Sequence, residues 1–161
     1  MHTQPNNLIP DLRCACATLR RAARAVSQIY AEEFGGLLEG PQFSLLALLH
    51  RQAGVSQTTL GRILILDKTT LSRSLSLMKR KGWIEPAPGD DKRERGFQLT
   101  PTGKQLLQRA RPAWKRAQNR LHAALGEAQW TRMFGVANSV ALVAWQAQNS
   151  TQDPITTQVP A

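Results

Sequence analysis

Short hydroxyl and basic side chains are concentrated in one segment of the chain, DKTTLSRSLSLMKRK, which begins at Asp67. Serine and threonine hydroxyls can donate to phosphates or base edges, and an arginine guanidinium such as that of Arg73 can make a paired contact to guanine. The basic residues Lys79, Arg80 and Lys81 close the segment. The composition therefore indicates contact with DNA, although the same residue types also cover ordinary solvent-exposed helix faces.

Two cysteines separated by one residue, Cys14 and Cys16, form the second group with reactive chemistry. Thiolates can be oxidised, and they also bind thiophilic metals or metalloids. Positive charge from Arg13, Arg20 and Arg21 would favour the thiolate form of a nearby cysteine. On a regular helix the two side chains point in nearly opposite directions, which places Cys16 on the apolar face and Cys14 on the other. Cys16 is therefore also explained as a small core residue.

Outside these two groups, the sequence offers no arrangement typical of catalysis or of a metal site. It contains no phosphate-cradling loop, no HExxH and no GxSxG. The histidines His2, His50 and His122 are isolated from one another, and none has a second ligand at metal spacing. His50 falls in an apolar segment and is expected to be a buried, hydrogen-bonded residue. We accordingly expect a protein that is not an enzyme and requires no cofactor.

The charge of the chain also points to a polyanionic partner. Its 161 residues include 21 Lys or Arg and 11 Asp or Glu, which gives a formal net charge of +10. The length favours a single domain. No apolar run is long enough to cross a membrane, and the first residues do not form a secretory signal, so we expect a cytoplasmic protein with reduced thiols.

The pattern of apolar and capping residues predicts the helices that carry these groups. Apolar residues recur at steps of three and four between residues 8 and 34, so this segment should form one long helix. Pro41 suits the start of a second, buried helix. Ser56 and Asp67 are typical N-cap residues and predict two short helices in succession, the second of which ends at Gly82.

The second half of the chain predicts a hairpin followed by two long helices. Residues 83–84 and 97–100 are typical of short strands around a charged loop, and a capping threonine followed by a proline predicts a helix from residue 101. Gly126 separates a last helix whose apolar surface exceeds what a small domain can hide within its own chain, which indicates a subunit interface. The polar residues 149–161 are expected to form a flexible tail.

These elements in this order predict a mainly α fold with a small β-hairpin wing, the winged helix-turn-helix class. In that arrangement the second short helix enters the major groove, and the hairpin lies beside it. Residues 42–100 would form the DNA-binding lobe of a single domain. Residues 8–34 and 101–148 would form long N- and C-terminal dimerisation helices.

Five short motifs stand in one order and at fixed spacings: Leu60-Gly61-x-x-Leu64, Asp67-Lys68-Thr69-Thr70-Leu71-Ser72-Arg73-x-Leu75, Gly82-Trp83-Ile84, Asp91-Lys92-Arg93 and Leu99-Thr100-Pro101-x-Gly103. Together they resemble the multiple-antibiotic-resistance regulator (MarR) family of bacterial winged-helix repressors. The resemblance covers residues 56–104 closely, and the flanking helices match the family's layout, in which terminal helices entwine two subunits. Gly61 departs from the family, which more often has alanine there.

The resemblance implies which residues contact DNA. The segment matching residues 67–79 is the recognition helix of the family, and the position matching Arg93 enters the minor groove at the wing tip, where Asp91 orients the wing by pairing with arginine. The enhanced negative potential of a narrow minor groove suits an arginine. Candidate DNA contacts are Ser56, Thr58, Lys68, Thr69, Thr70, Ser72, Arg73, Ser74, Lys79, Arg80, Lys92, Arg93 and Arg95.

The resemblance also implies two kinds of signal. A thiol near the start of the first helix resembles the peroxide-sensing branch of the family, in which oxidation rearranges the dimer, while many other members bind anionic or phenolic molecules between the lobe and the dimerisation helices. We therefore expect a homodimeric repressor that leaves a pseudo-palindromic operator when Cys14 or Cys16 captures an oxidant or metalloid, or when an organic effector binds. Its partners would be double-stranded DNA, a second copy of the chain and an unidentified inducer, with no membrane. Two alternatives stay open: a non-specific basic nucleic-acid-binding protein and a winged-helix adaptor for protein contacts.

Overall fold

The computed structural model describes residues 13–87 and 96–149, and within these ranges the chain is mostly helical. The elements are α1 (Ala15–Phe34), α2 (Gly40–Arg51), α3 (Gln57–Leu64), α4 (Lys68–Arg80), β1 (Ile84–Pro86), β2 (Phe97–Leu99), α5 (Pro101–Leu125) and α6 (Glu127–Asn149). The mainly α fold with a small hairpin is confirmed. Of the tail predicted for residues 149–161, Asn149 is the last residue of α6, and residues 150–161 lie outside the described residues. In the described part of the chain, no helix combines the length and the apolar character needed to cross a bilayer.

Three side chains that were predicted to cap helices do so. The Ser56 hydroxyl accepts a hydrogen bond from the backbone N–H of Thr59 at 3.2 Å, and the Asp67 carboxylate accepts one from Thr70 at 2.8 Å. The Thr100 hydroxyl caps α5 by accepting from the N–H of Gly103 at 3.0 Å. Each cap satisfies an N–H that a helix start leaves without a partner, and thereby fixes where α3, α4 and α5 begin.

The hydrophobic core lies around α2, which packs against α1, α5 and β2. Leu46 of α2, Leu60 of α3 and Met78 of α4 are fully buried, so the core joins the short helices to the long ones. The prediction that His50 is buried is wrong, because this residue lies in the last turn of α2, where the helix leaves the core and residues 50–54 are all exposed.

The first helix begins later than its apolar spacing predicted. Cys14 is the N-cap residue of α1 and has an extended backbone, with φ −122° and ψ 111°, so residues 13 and 14 are not helical. Residues 8–12 of the predicted helix lie outside the described residues. Helix α1 is buried at its C-terminal end, where Phe34 packs in the core, whereas Leu19 is 43% exposed and Cys16 is exposed. The interpretation of Cys16 as a core residue is therefore wrong within this chain, because the core does not reach this half of α1.

The C-terminal end of α1 is held against α5 by polar contacts. Arg116 donates to the Glu33 carboxylate at 2.8 Å, and Arg120 donates to Glu32 at 2.7 Å. The Tyr30 hydroxyl accepts a hydrogen bond from Gln118, and burial raises the pKa of this phenol above its usual value. Exposed ion pairs of this kind contribute little to stability, so they mainly orient the two helices.

Candidate nucleic-acid interface

Helices α3 and α4 are joined by a tight turn at Ile65 and Leu66. Ile65 has φ +49°, a left-handed conformation that is strained for a β-branched residue, and the Leu66 N–H donates to the Gly61 carbonyl at 3.0 Å. A Cβ at position 61 would lie 3.3 Å from the Leu66 carbonyl oxygen, closer than most such contacts. Glycine at position 61 therefore leaves room for this turn to close. This gives a physical reason why the chain has glycine where the family more often has alanine.

The outward face of α4 is defined by the residues that its opposite face buries. Leu71, Leu75 and Met78 lie in the core at steps of four and three. The residues half a turn away are all exposed, and they form one stripe along the helix: Thr69, Arg73, Ser76 and Arg80. This stripe, called the recognition face below, presents two hydroxyls and two guanidinium groups.

Some of the side chains that were predicted to contact DNA form hydrogen bonds within the lobe. The Thr70 hydroxyl donates to the Asp67 carboxylate at 2.6 Å, and this bond, with the backbone bond from Thr70, holds the pKa of Asp67 below its usual value. The Gln57 side chain donates to the Ser72 hydroxyl at 2.6 Å, which ties α3 to α4. Gln57 was not assigned by sequence reasoning, since only the packed helices bring it to Ser72. Of the other candidates, Thr58, Lys68 and Lys79 are exposed, while Ser56 and Ser74 are half-buried.

The base of the wing contains one more backbone pairing than the predicted two-stranded hairpin. Strands β1 and β2 pair antiparallel with Ile84 opposite Leu99, and Val55 adds a bridge to Phe97 on the other edge of β2. Gly96 allows this approach, because a Cβ at that position would lie 2.0 Å from the Gly54 carbonyl oxygen. The wing-tip candidates Asp91, Lys92, Arg93 and Arg95 lie outside the described residues.

Comparison with known proteins shows which family has this arrangement of helices and wing. The MarR family model matches residues 38–94. The chain is 32% identical to the M. tuberculosis transcriptional regulator MosR, solved in complex with DNA, over 85% of this chain and 98% of that one, with a TM-score of 0.71. The chain belongs to the MarR family.

Two further solved structures have the same fold as this MarR-family chain. The PcaV transcriptional regulator from Streptomyces coelicolor, solved with its natural ligand, is 24% identical, with 84% of this chain and 98% of that chain covered and a TM-score of 0.75. The transcriptional repressor CouR, bound to a 23-mer DNA duplex, is 23% identical, with coverages of 80% and 93% and a TM-score of 0.72. No curated protein sequence matches the chain significantly. Family membership identifies the chain as a winged-helix transcriptional regulator and not an enzyme.

The two cysteines of this MarR-family protein do not share one regular helix, contrary to the prediction that they occupy its opposite faces. That prediction assumed a regular helix through both residues, whereas Cys14 precedes the helix in an extended conformation. Both thiols are free and exposed, and both line one cavity at the start of α1. Among the described residues, no group of three potential ligands could hold a metal ion.

A larger cavity lies between the α3–α4 turn and the end of α6. It has a volume of about 620 Å³ and is lined by Ile65 and Leu66 of the turn, by the basic side chains of Arg62 and Lys68, and by the Trp145 ring. Sequence reasoning did not connect Trp145 to the DNA-binding lobe, because more than 70 residues separate Trp145 from the α3–α4 turn. The cavity places an apolar wall and two cations beside the start of the recognition helix.

Proposed function

We propose that this chain is a homodimeric repressor that binds a pseudo-palindromic operator, with half-sites about one helical turn apart, and that a captured signal releases it. Helices α1, α5 and α6 would form the dimer, and residues 42–100 would form the DNA-binding lobe. Family membership and the MosR structure with DNA support the DNA-binding part of the proposal.

The observation that carries this proposal is the recognition face of α4. Its two guanidinium groups, on Arg73 and Arg80, are exposed and form no ion pair with any residue in 13–87 or 96–149. Arg73 lies in the middle of this face. Bidentate contact to guanine is the commonest specific use of arginine in the major groove.

The apolar surface of α6 supports a dimer. Phe134, Val136, Val140, Leu142 and Val143 are between 40% and 64% exposed in the single chain. So much exposed apolar surface on one helix is unusual for a monomer, and a two-fold interface is the commonest way to cover it. The exposed half of α1 that carries Leu19 supplies more surface of the same kind.

Arg73→Ala tests the proposed base contact. Loss of a bidentate contact should cost about 1 to 3 kcal/mol, which corresponds to a fall in operator affinity of about 5- to 150-fold. Fluorescence anisotropy would compare duplex from the protein's own upstream region with scrambled duplex at about 150 mM salt. Arg111→Ala, an exposed arginine of α5, is the control for lost charge and should bind as the parent does.

Each other outcome of this experiment favours a different function. Equal binding of the parent protein to both duplexes would indicate a non-specific nucleic-acid-binding protein. Unchanged operator binding by Arg73→Ala would contradict the base contact. Failure of the parent protein to bind either duplex would favour an adaptor that uses the winged fold for protein contacts.

We further propose that Cys14 and Cys16 receive the signal, as an oxidant or as a thiophilic metalloid. Both thiols are accessible at the start of α1, and the exposed half of this helix is part of the surface proposed for the dimer, so modification there would alter dimer geometry. DNA and signal would then oppose each other, because each favours a different arrangement of the two lobes.

Cys14→Ser tests the thiol signal. This variant should bind operator as the parent does, but should no longer be released by peroxide or by a trivalent arsenic salt. Cys16→Ser is the matched variant and separates the roles of the two thiols. Release of Cys14→Ser at the same oxidant or arsenic concentration as the parent would contradict the assignment.

An organic effector is the alternative signal, and the cavity beside the α3–α4 turn favours it. Its volume lies in the range of small-molecule sites, and its charged lining residues, Arg62, Lys68 and Asp67, carry a net positive charge that would complement an anion. In this case, operator binding would respond to a small molecule equally in the parent and in the double variant Cys14→Ser/Cys16→Ser.

A further inference from the structure

A further cavity lies at the base of the wing, between the end of α2, the strands β1 and β2 and the first turn of α5. It has a volume of about 340 Å³, near the lower limit for small-molecule sites. It shares no described lining residue with the cavity of the two thiols or with the cavity beside the α3–α4 turn. The wing-base cavity is therefore separate from both sites considered for the signal.

Two opposite charges line this cavity but do not pair with each other. Glu85 of β1 carries a carboxylate and Lys104 of α5 carries an ammonium group, and neither forms an ion pair with any residue in 13–87 or 96–149. One Glu85 oxygen accepts a hydrogen bond from the Gln98 side chain at 3.0 Å, which holds the carboxylate at the wing base. Its other oxygen and the Lys104 ammonium group have no partner in the described part of the chain, so both are available to a ligand.

The remaining lining suits an aliphatic group. Leu49 of α2 and Leu99 of β2 are buried, with 1% and 5% of their surface exposed, and they give the cavity an apolar inner wall. Small apolar surfaces are added by Ala53 and Pro101. The only ring with conjugated bonds among the described lining residues is the imidazole of His50, which is exposed and can form hydrogen bonds. The cavity therefore offers little surface on which a planar aromatic ligand would stack.

We infer that the wing-base cavity binds a small aliphatic zwitterion of the α-amino acid class. The ammonium group of the ligand pairs with Glu85, and its carboxylate pairs with Lys104. The aliphatic side chain of the ligand covers the apolar inner wall. A zwitterion satisfies both protein charges at once, whereas an anion or a cation pairs with one of them and is repelled by the other.

A ligand in this cavity joins the base of the wing to α5. Glu85 belongs to β1 and Lys104 to α5, so a molecule that pairs with both side chains holds these two elements together. The inference goes beyond the proposed function, because it names a further site for a small molecule and requires neither the thiols nor DNA.

Three probes that differ only in their charged groups test this inference. L-leucine carries both charges, 4-methylpentanoate lacks its ammonium group, and 3-methylbutylamine lacks its carboxylate. NMR titration of reduced, ¹⁵N-labelled full-length protein without DNA would give a dissociation constant for each probe. L-leucine should bind in the millimolar range, as expected for so small a ligand, and each singly charged probe should bind about 10-fold more weakly or worse. The largest chemical-shift changes should fall on amides of the lining residues, including the side-chain amide of Gln98.

Variants that remove one charge assign each contact. Glu85→Gln should bring the dissociation constants of L-leucine and 4-methylpentanoate close together, because the ammonium group has lost its partner. Lys104→Gln should do the same for L-leucine and 3-methylbutylamine. Both replaced residues are exposed, so the variants are expected to keep the fold. Glu127→Gln and Lys115→Gln remove the same charges outside the cavity and should keep the preference of the parent.

Three results would overturn the inference. These are equal dissociation constants of the three probes for the parent protein, no binding of L-leucine up to about 20 mM, and chemical-shift changes that lie away from the cavity. Operator binding is measured separately, so the proposed regulator can stand when this inference fails.

Discussion

A negative charge in the apolar surface of α6 is expected to separate the dimer and abolish high-affinity operator binding. Val136 and Val143 are 56% and 64% exposed in the single chain and lie two turns apart on one side of the helix. In a two-fold interface, Val136→Glu/Val143→Glu would bury four carboxylates without partners, and each would have to be desolvated. A monomer contacts one half-site, so affinity should fall toward the non-specific level, by about 10³-fold or more.

Light scattering at micromolar concentration and anisotropy on the operator would measure the two effects. Gln52→Glu/Gln105→Glu adds the same charge at exposed polar positions outside α6 and should remain a dimer. A parent protein that is already monomeric under these conditions would contradict the proposed dimer and its mode of operator binding.

Gly103→Ala is expected to destabilise the lobe more than other glycine replacements outside the wing. A Cβ at position 103 would lie 2.0 Å from the Trp83 carbonyl oxygen and 2.9 Å from its carbon, and this neighbour is backbone that cannot rotate away. The Thr100 hydroxyl donates to the Gly82 carbonyl at 2.6 Å and its N–H to Trp83 at 3.1 Å, so α5 is fastened at this point. Displacing α5 should cost about 3 kcal/mol or more, the upper range for overpacked sites.

Urea unfolding would measure the change as a lower midpoint. Gly40→Ala is the matched control, because nothing lies within 4 Å of a Cβ at this position and its backbone does not require glycine. It should change stability by less than about 1 kcal/mol. An unfolding midpoint of Gly103→Ala equal to that of the parent would show that α5 can move away from the wing base without loss of stability.

The sequence predicted the helix starts that depend on local chemistry. Ser56, Asp67 and Thr100 each cap a helix with their own side chain, so the residue type alone carries the information. Spacing alone misplaced the start of α1, because the apolar pattern continues past the point where the backbone becomes extended at Cys14. A pattern of side chains constrains packing, and it leaves the backbone at a helix end undetermined.

The candidate site was predicted in its residue types and only partly in its geometry. Arg73 and Arg80 can be placed on the recognition face from their spacing to Leu71 and Leu75. Ser72 could not be assigned to the α3 contact, because its partner Gln57 is brought there only by the packed lobe. Gly103 was noticed as part of a motif, but its reason is a close approach to a backbone that lies twenty positions earlier in the chain.

The bridge between Val55 and Phe97 has a consequence for how this protein can evolve. Register at the wing base is set by Val55 on one side and by Ile84 opposite Leu99 on the other, so it does not depend on the loop that joins the strands. Doubling the length of a flexible loop costs only about 0.6 kcal/mol of closure entropy. Insertions and substitutions between Ala87 and Gly96 can therefore accumulate without refolding the lobe, and this stretch is free to diverge when a duplicated gene acquires a new target sequence.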